Sequence, residues 1–435
     1  MIGVCDCNNF FVSCQRVFRP DLERKPVMVL SGNDGCVIAR SNEVKALGIK
    51  MGAPLFQVQD IVEKNDITLF SANHSLYTDI SCRVMQTIKQ LTPKIEVYSI
   101  DEAFIDFSGL DISSLKSKSE EMAKTIKRNT GIPVSIGIAP SKTLAKIASK
   151  LCKHYPKLNG SCVMYREEDI EKVLRNHPIE DVWGIGKKSA QKLINLNIKT
   201  ALDFTKLSEY RVKQMLNITG LRTMRELKGI PSIEFLPTAQ AHQSISISRS
   251  FSKEITNFEE LRSVISMFAS TIATKLRQQN SCTFQITTCL YTNKYHTNAP
   301  QRYVDHSVKL EVATDSTIEL VRHACESLTK IYLSGYGYKK ASVYCADLIS
   351  RTNVQKTLFD NIDREKHCSL MKSIDEINTR YGQKRIDIAS SIEQNQTKSM
   401  NHLSPNYTTD WKDIIKVSIL KSVKTKTEDP FSTGI

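Results

Sequence analysis

Ile95-Glu96-Val97-Tyr98-Ser99-Ile100-Asp101-Glu102-Ala103-Phe104-Ile105-Asp106-Phe107 sets the architecture of the first third of the chain. Residues 95–100 and 103–107 read as two strands, rich in β-branched and aromatic side chains, parted only by Asp101-Glu102. Outward from this pair, Ile2 and Val4 alternate on a short strand that ends at Asp6, and residues 8–18 follow as a helix closed before Pro20. Residues 27–30 and 36–39 flank Ser31-Gly32-Asn33-Asp34-Gly35, a hairpin-type turn. Residues 134–138 form another strand. Ser141 then caps a helix whose apolar stripe is Leu144, Ile147, Ala148 and Leu151.

The rest of the chain changes character twice. Residues 167–231 read as short helices rich in Lys and Arg, and the polar stretch 238–244 as a linker. Beyond it, strands over 245–251, 283–291 and 342–348 alternate with helices over 261–278 and 318–333, an α+β pattern. After Arg351 the chain turns polar, and residues 391–435 read as loosely ordered. The fold class is therefore α/β followed by α+β, in several domains.

Composition narrows the partners. The chain has 435 residues, 60 Lys+Arg against 46 Asp+Glu, and a formal net charge of +14. Residues 1–110 are net −2 and residues 111–240 net +10, an uneven placement that points to a polyanion such as nucleic acid. No apolar run approaches the roughly 20 residues that span a bilayer, and the opening residues carry no basic, signal-like segment. The expectation is a cytoplasmic protein without a membrane partner. Its 12 cysteines are scattered with no Cys-x-x-Cys pair, so they read as small buried hydrophobes rather than disulfides or zinc ligands.

Carboxylates at strand ends suit phosphoryl transfer, in which a few hard oxygen ligands converge on two Mg²⁺ about 4 Å apart. Adjacent residues on a flat strand face opposite ways, so Asp101 and Glu102 share a site only if the backbone bends between them. Taken singly, Asp6 also reads as a helix N-cap and Asp101-Glu102 as a turn. Lys142, Lys146, Lys150 and Lys153 fall on the exposed face of their helix, where lysines are usually solvated.

The wording around these acids resembles one family. Cys5-Asp6-Cys7-Asn8-Asn9-Phe10-Phe11-Val12-Ser13-Cys14 and Tyr98-Ser99-Ile100-Asp101-Glu102-Ala103-Phe104 are similar to the two signature segments of Y-family translesion DNA polymerases. The run from Gly35 to Gly52 resembles that family's fingers motif. Asp181-Val182-Trp183-Gly184-Ile185-Gly186 and Leu403-Ser404-Pro405-Asn406-Tyr407-Thr408-Thr409 extend the likeness nearly end to end.

The resemblance implies a right-hand polymerase. Its palm would be residues 1–23 and 79–166, its small fingers 24–78, its helical thumb 167–237, its little finger 238–350, and its partly flexible tail 351–435. It implies that Asp6, Asp101 and Glu102, with the Cys7 carbonyl, hold two Mg²⁺ ions. Phe10 and Phe11 would lie at the incoming deoxynucleoside triphosphate, Phe11 as a steric gate beneath the sugar. Arg40, Lys45 and Lys153 would face the phosphates.

Gly184, Gly186, Lys187 and Lys188 would form a helix-hairpin-helix on primer–template DNA, with Asn197 standing where the second helix usually closes on Gly. Ser248, Arg249 and Ser250 would track the template backbone. Gln355, Leu358 and Phe359 fit the Gln-x-x-Leu-Phe peptide that docks on a sliding clamp. A processed UmuD′-like subunit and a recombinase filament complete the implied partners. The implied activity is error-prone addition of deoxynucleotides across damaged template in an SOS-type response. A non-catalytic DNA-binding protein on the same fold, and a metal-dependent nuclease using the same acids, are the competing readings.

Overall fold

The computed structural model describes residues 1–238, 241–296, 298–355, 357–381, 385–391 and 400–415. It divides into two compact units, Met1–Thr238 with Met400–Ile435, and Ala239–Ser399. The expected linker holds the point of division, with residues 239 and 240 outside the described residues. No helix among the described residues is long and apolar enough to cross a membrane.

The first unit begins with β1 (Ile2–Cys7), α1 (Phe10–Phe18), β2 (Val27–Leu30), β3 (Val37–Arg40), α2 (Asn42–Ala46), α3 (Leu55–Lys64), β4 (Thr68–Ser71) and α4 (His74–Leu91). It continues through β5 (Ile95–Val97), β6 (Glu102–Asp106), α5 (Ile112–Thr130), β7 (Val134–Ala139), α6 (Lys142–His154) and β8 (Ser161–Val163). Among the described residues these strands make two sheets, ordered β5-β6-β1-β7-β8 and β3-β2-β4. The expected hairpin is present, since β2 and β3 pair antiparallel. The expected strand over 95–100 stops at Val97, because the backbone bends through residues 99–101 before β6 begins.

Alternation along β1 and β6 decides which side of the larger sheet carries chemistry. Cys5, Cys7, Ala103 and Ile105 enter a core shared with α1, α4 and α5, whereas Val4 and Phe104 enter a second core under α6. Asp6 lies two residues beyond Val4, and Glu102 two before Phe104, so both acids face the α6 side.

On that side α6 lies hard against β7. A Cβ added at Gly137, the register partner of Val4, would stand 2.1 Å from the Ser149 nitrogen and 2.3 Å from the Ala145 carbonyl. Only glycine admits this approach. Gly137→Ala is expected to lower unfolding free energy by about 3 kcal/mol in a urea titration.

Four helices follow, α7 (Glu167–Asn176), α8 (Lys187–Asn195), α9 (Ala201–Thr205) and α10 (Glu209–Leu227), of which α8 and α10 are basic while α7 carries four acids against two bases, contrary to the expectation of helices uniformly rich in Lys and Arg. Their apolar faces join the core beneath α6 through Leu174, Ile185, Leu193, Phe204 and Leu221. Glu226 of α10 is fully buried, and its carboxylate accepts from the Thr143 backbone N–H at the start of α6 at 3.0 Å.

Among the described residues the second unit has one antiparallel sheet, β11-β10-β12-β9, built from β9 (Ile245–Ile255), β10 (Ser281–Thr292), β11 (Tyr303–Thr314) and β12 (Tyr338–Ser350). Helices α11 (Phe258–Gln278) and α12 (Thr317–Ile331) pack against it around Phe268, Leu276 and Leu320. β11 is not among the strands expected from the sequence; its apolar positions alternate with Asp305, Ser307, Lys309 and Glu311 along an edge strand.

The expected tail over 351–435 is not one segment. Residues up to Ser391 belong with the second unit, where α13 (Arg364–Tyr381) is held by Asp375 against Arg277 at 2.6 Å and by Arg364 against Glu319 at 2.9 Å. Charged pairs rather than an apolar stripe hold this helix, so periodicity does not announce it. Residues 400–415 return to the first unit. Of the stretch expected to be loosely ordered, 392–399 and 416–435 lie outside the described residues.

Candidate active site

Asp6 and Glu102 face each other across the β1–β6 ladder as register partners, on one side of the sheet. Asp101 joins them because of the bend. The Ser99 hydroxyl accepts from the backbone N–H of Asp101 at 3.2 Å and of Glu102 at 3.0 Å, and donates to Asp101 Oδ1 at 2.6 Å. Ser81 of α4 donates to the Ile100 carbonyl at 2.5 Å, and the Cys7 N–H donates to the Asp101 carbonyl at 2.9 Å. Ser99 and Ser81 are the residues that make one patch of three acids. The signal for Ser99 is a hydroxyl two residues before an acid, the ST-turn pattern.

Each acid is occupied in its own way. Lys153 donates to Asp6 Oδ2 at 2.7 Å. Lys146 donates to both Glu102 oxygens, at 2.9 and 2.8 Å, under the rings of Tyr98, Trp183 and Phe104 at 4.6, 5.2 and 5.8 Å. The expectation of a solvated lysine face on α6 is thus corrected for Lys142 and Lys146, while Lys150 and Lys153 stay partly open to solvent. Lys142 is 3 % exposed and paired with Glu96 at 2.6 Å, and Lys150 reaches Asp181 at 2.7 Å. Acids on the facing sheet and on the following turn, distant in sequence, collect all four ammonium groups.

Burial pushes the Asp6 carboxyl up; Lys153 pulls it down, and the charges of Glu102 and Asp101 push it up again. Three anions within one another's field are a donor set that a divalent cation neutralises. Among the described residues no group of His, Cys, Asp and Glu stands ready in ion-holding geometry, since Lys146, Lys153 and Ser99 hold the carboxylate oxygens. The set fits hard cations in its chemistry: carboxylate oxygens on rigid backbone, and a Cys7 thiol kept protonated by burial, so that only its carbonyl is offered.

Beside the acids lies a cationic corner. Asn9 adopts the left-handed region at φ 47°, and its Oδ1 accepts from Lys45 Nζ at 2.6 Å. Desolvation, then the like charges of Lys153 and Arg40, hold the Lys45 ammonium below its ordinary pKa. These three cations therefore share a field, and Arg40 is anchored on the Ile49 carbonyl. The two neighbouring aromatics part company. Phe10 is 4 % exposed within the core, while Phe11 is half-buried and stacks on Tyr77 at 4.3 Å.

The other expected contacts lie on exposed backbone and side chains. Gly184 has φ 92°, and a Cβ there would meet Thr223 Oγ1 at 2.6 Å. Gly186 caps α8 with open space around it, Lys187 and Lys188 are exposed, and Asn197 takes φ 60° where the turn needs a left-handed residue. On β9, an edge strand, Ser246, Ser248 and Ser250 are exposed while Ile245, Ile247 and Arg249 face the other way. Leu358 is fully exposed, Phe359 is 82 % exposed and Gln355 is exposed; Lys356 lies outside the described residues.

These sheets, the helices over 167–227 and the second α+β unit make the fold of Y-family DNA polymerases. A solved Y-family DNA polymerase chimera of Dbh and Dpo4 matches 80 % of this chain and all of its own at a TM-score of 0.66 and 21 % identity. A Dbh ternary complex matches with a TM-score of 0.55 at 20 % identity, over 80 % of this chain and all of that one.

The impB/mucB/samB family profile matches residues 5–150, its C-terminal domain 242–358 and its helix-hairpin-helix motif 167–198. Residues 369–417 match a further domain of unknown function. Protein UmuC of Salmonella typhimurium is 37 % identical over 96 % of this chain and 100 % of its own. Protein ImpB of the same species is 38 % identical over 95 % and 99 %. DNA polymerase IV of Oceanobacillus iheyensis is 28 % identical over 92 % and 93 %. The chain belongs to the impB/mucB/samB family of Y-family translesion polymerases and is, by class, a DNA-directed DNA polymerase.

Proposed function

We propose that this chain adds deoxynucleotides to a primer 3′-OH opposite damaged template, in an SOS-type response, with two Mg²⁺ held by Asp6, Asp101, Glu102 and the Cys7 carbonyl. The observation that carries the reading is the pairing of Asp6 with Glu102 across β1 and β6, with Asp101 bent into the same patch. When bound, the ions supply activation of the 3′-OH and charge neutralisation at the leaving pyrophosphate.

The chain's own residues do the rest. Lys45, Arg40 and Lys153 form a cationic corner whose mutual repulsion a triphosphate relieves. In this reading the Phe11 ring, stacked on Tyr77, is the group with which a 2′-hydroxyl would clash. On this reading the palm is residues 1–23 and 79–166, the fingers 24–78, the thumb 167–237 and the little finger 238–350, with residues 351–391 grouped in the same compact unit as the little finger.

Gly184, Gly186, Lys187 and Lys188 offer backbone N–H groups and charge to DNA phosphates, and Ser248, Arg249 and Ser250 run along the open edge of β9. Gln355, Leu358 and Phe359 project where a sliding clamp can take two apolar anchors. A processed UmuD′-like subunit and a recombinase filament remain partners on the strength of the family, and a cytoplasmic location goes with them.

Primer extension past a defined template lesion, with and without clamp and partner subunit, tests the reading. Wild type lengthens the primer and Asp101→Ala does not. Extension unaffected by that substitution refutes the assignment, and shortening of the labelled primer points to a nuclease instead.

A further inference from the structure

Residues 400–413 form a strap that runs from the β2–β3 turn to α1. The Asn401 N–H donates to Asp34 Oδ2 at 2.7 Å, at the hairpin turn. His402 and Ser71 then exchange hydrogen bonds, the His402 N–H donating to Ser71 Oγ at 3.1 Å and the Ser71 N–H to the His402 carbonyl at 2.9 Å, so Leu403 pairs with Ser71 as a parallel bridge at the end of β4. Farther on, Tyr407 stacks on Phe18 of α1 at 4.6 Å, with ring planes 10° apart.

Between these anchors Ser404, 5 % exposed, lies behind the Phe11 ring pair. Gln15 of α1 is fully buried and donates through Nε2 both to Ser404 Oγ at 3.0 Å and to the Tyr77 hydroxyl at 2.9 Å. Its Oε1 has no partner among the described residues, so the two Nε2 bonds alone orient the amide. Asn73 caps α4 by accepting from the Leu76 N–H at 3.1 Å, and its Nδ2 reaches the Ser404 carbonyl at 3.1 Å, Ser404 Oγ at 3.2 Å and the Pro405 carbonyl at 3.2 Å. Ser404 therefore ties the start of α4 to α1, and Tyr77 and Phe11, one on each helix, stack at 4.3 Å.

We propose that the 400–413 strap positions the Phe11–Tyr77 ring pair, with Ser404 as the positioning residue, and so sets how strictly the sugar of the incoming nucleotide is selected. The proposal rests on the reading of Phe11 as the sugar gate. A ring stacked on a neighbour excludes a hydroxyl only as firmly as that neighbour is held. Losing the Ser404 hydroxyl leaves a buried Gln15 N–H unpaired and frees the amide to turn.

The test uses the full chain and single-nucleotide incorporation with matched deoxy- and ribonucleotides. Ser404→Ala is expected to raise the ribo-to-deoxy ratio of kcat/KM about threefold to tenfold, carried by a lower ribonucleotide KM. Ser404→Thr, which keeps the hydroxyl, is expected to stay near the wild-type ratio. Tyr407→Leu, at the far anchor, moves the ratio in the same direction as Ser404→Ala and serves if that variant does not fold.

Phe11→Ala reads the gate itself. A large rise there with no change in Ser404→Ala or Tyr407→Leu overturns the strap's role. No rise in Phe11→Ala overturns the gate and with it the effect on sugar selection. Hydrogen exchange then decides the positioning alone, faster exchange across α1 and the first turn of α4 in Ser404→Ala supporting it and unchanged exchange overturning it.

Discussion

Asp6→Asn is expected to slow nucleotide addition by about a thousandfold or more while leaving the unfolding midpoint at or above that of the wild type. The substitution keeps the shape of the side chain and an oxygen toward Lys153, which now donates to Asp6 Oδ2 at 2.7 Å. What it removes is a charge 17 % exposed to solvent, placed opposite Glu102 and in the field of Asp101. Folding gains from that removal, because a desolvated carboxylate among like charges costs stability and Lys153 offsets only part of the cost. Chemistry loses, because under the proposed two-metal reading the patch could no longer gather two divalent ions around three acids. Single-turnover incorporation at saturating Mg²⁺, beside urea unfolding of the same sample, measures both halves. A variant that retains activity within tenfold, or one that unfolds markedly sooner, means Asp6 is a structural residue.

The two readouts separate Asp6 from its neighbours. Asp101 is bonded into the bend by Ser99, so its replacement disturbs the turn as well as the charge. Glu102 is held on both oxygens by Lys146, and its loss leaves that ammonium among three aromatic rings with no counter-ion. Asp6 holds a regular strand position outside the bend, and its partner Lys153 is 35 % exposed rather than enclosed by rings, so Asp6 gives the cleanest division of function from fold.

How much of this was legible follows the range of the forces involved. The strands carrying Asp6 and Glu102, the Ser141 cap and the left-handed Asn197 are local, and each is visible as alternation, a hydroxyl before a helix, or an Asn at a helix end. The bend at residues 99–101 was posed by the sequence as a condition, and Ser99 meets it with a hydrogen bond that spans two residues. The fate of the α6 lysines was not legible. Their partners Glu96, Glu102, Asp181 and Asp6 lie from 31 to 147 residues away, so helix periodicity alone marks them as solvated. The docked tail escaped for the same reason. Gln15 and Ser404 are 389 residues apart, and polar composition at 400–415 gives no hint that a buried amide awaits it.

Glu226→Ala is expected to cost about 4 kcal/mol of unfolding free energy. The residue is fully buried, yet its carboxylate has no lysine or arginine partner among the ion pairs of the described residues. It is satisfied by main chain: the Thr143 N–H at 3.0 Å on Oε2, and the Ser232 and Ile233 N–H groups at 2.7 and 3.1 Å on Oε1. Its own carbonyl accepts from the Ser141 hydroxyl at 2.6 Å. Thr143 lies in the first turn of α6, where free N–H groups and the helix dipole favour an anion, which is why a charge is tolerated here without a cation.

Alanine would leave the buried Thr143 N–H and the half-buried Ser232 and Ile233 N–H groups without their acceptor, and a cavity between α10, α6 and the 230–236 segment. Glu226→Gln keeps an oxygen for one side only and is expected to lose about half as much. The consequence reaches the active site, because α6 delivers Lys146 to Glu102 and Lys153 to Asp6 from the helix whose first turn Glu226 fixes. Denaturant unfolding of both variants, read beside incorporation under conditions where each is folded, therefore shows two linked losses. A drop in stability below about 1 kcal/mol for the alanine variant would mean that water replaces the carboxylate and that α6 is held by its apolar stripe alone.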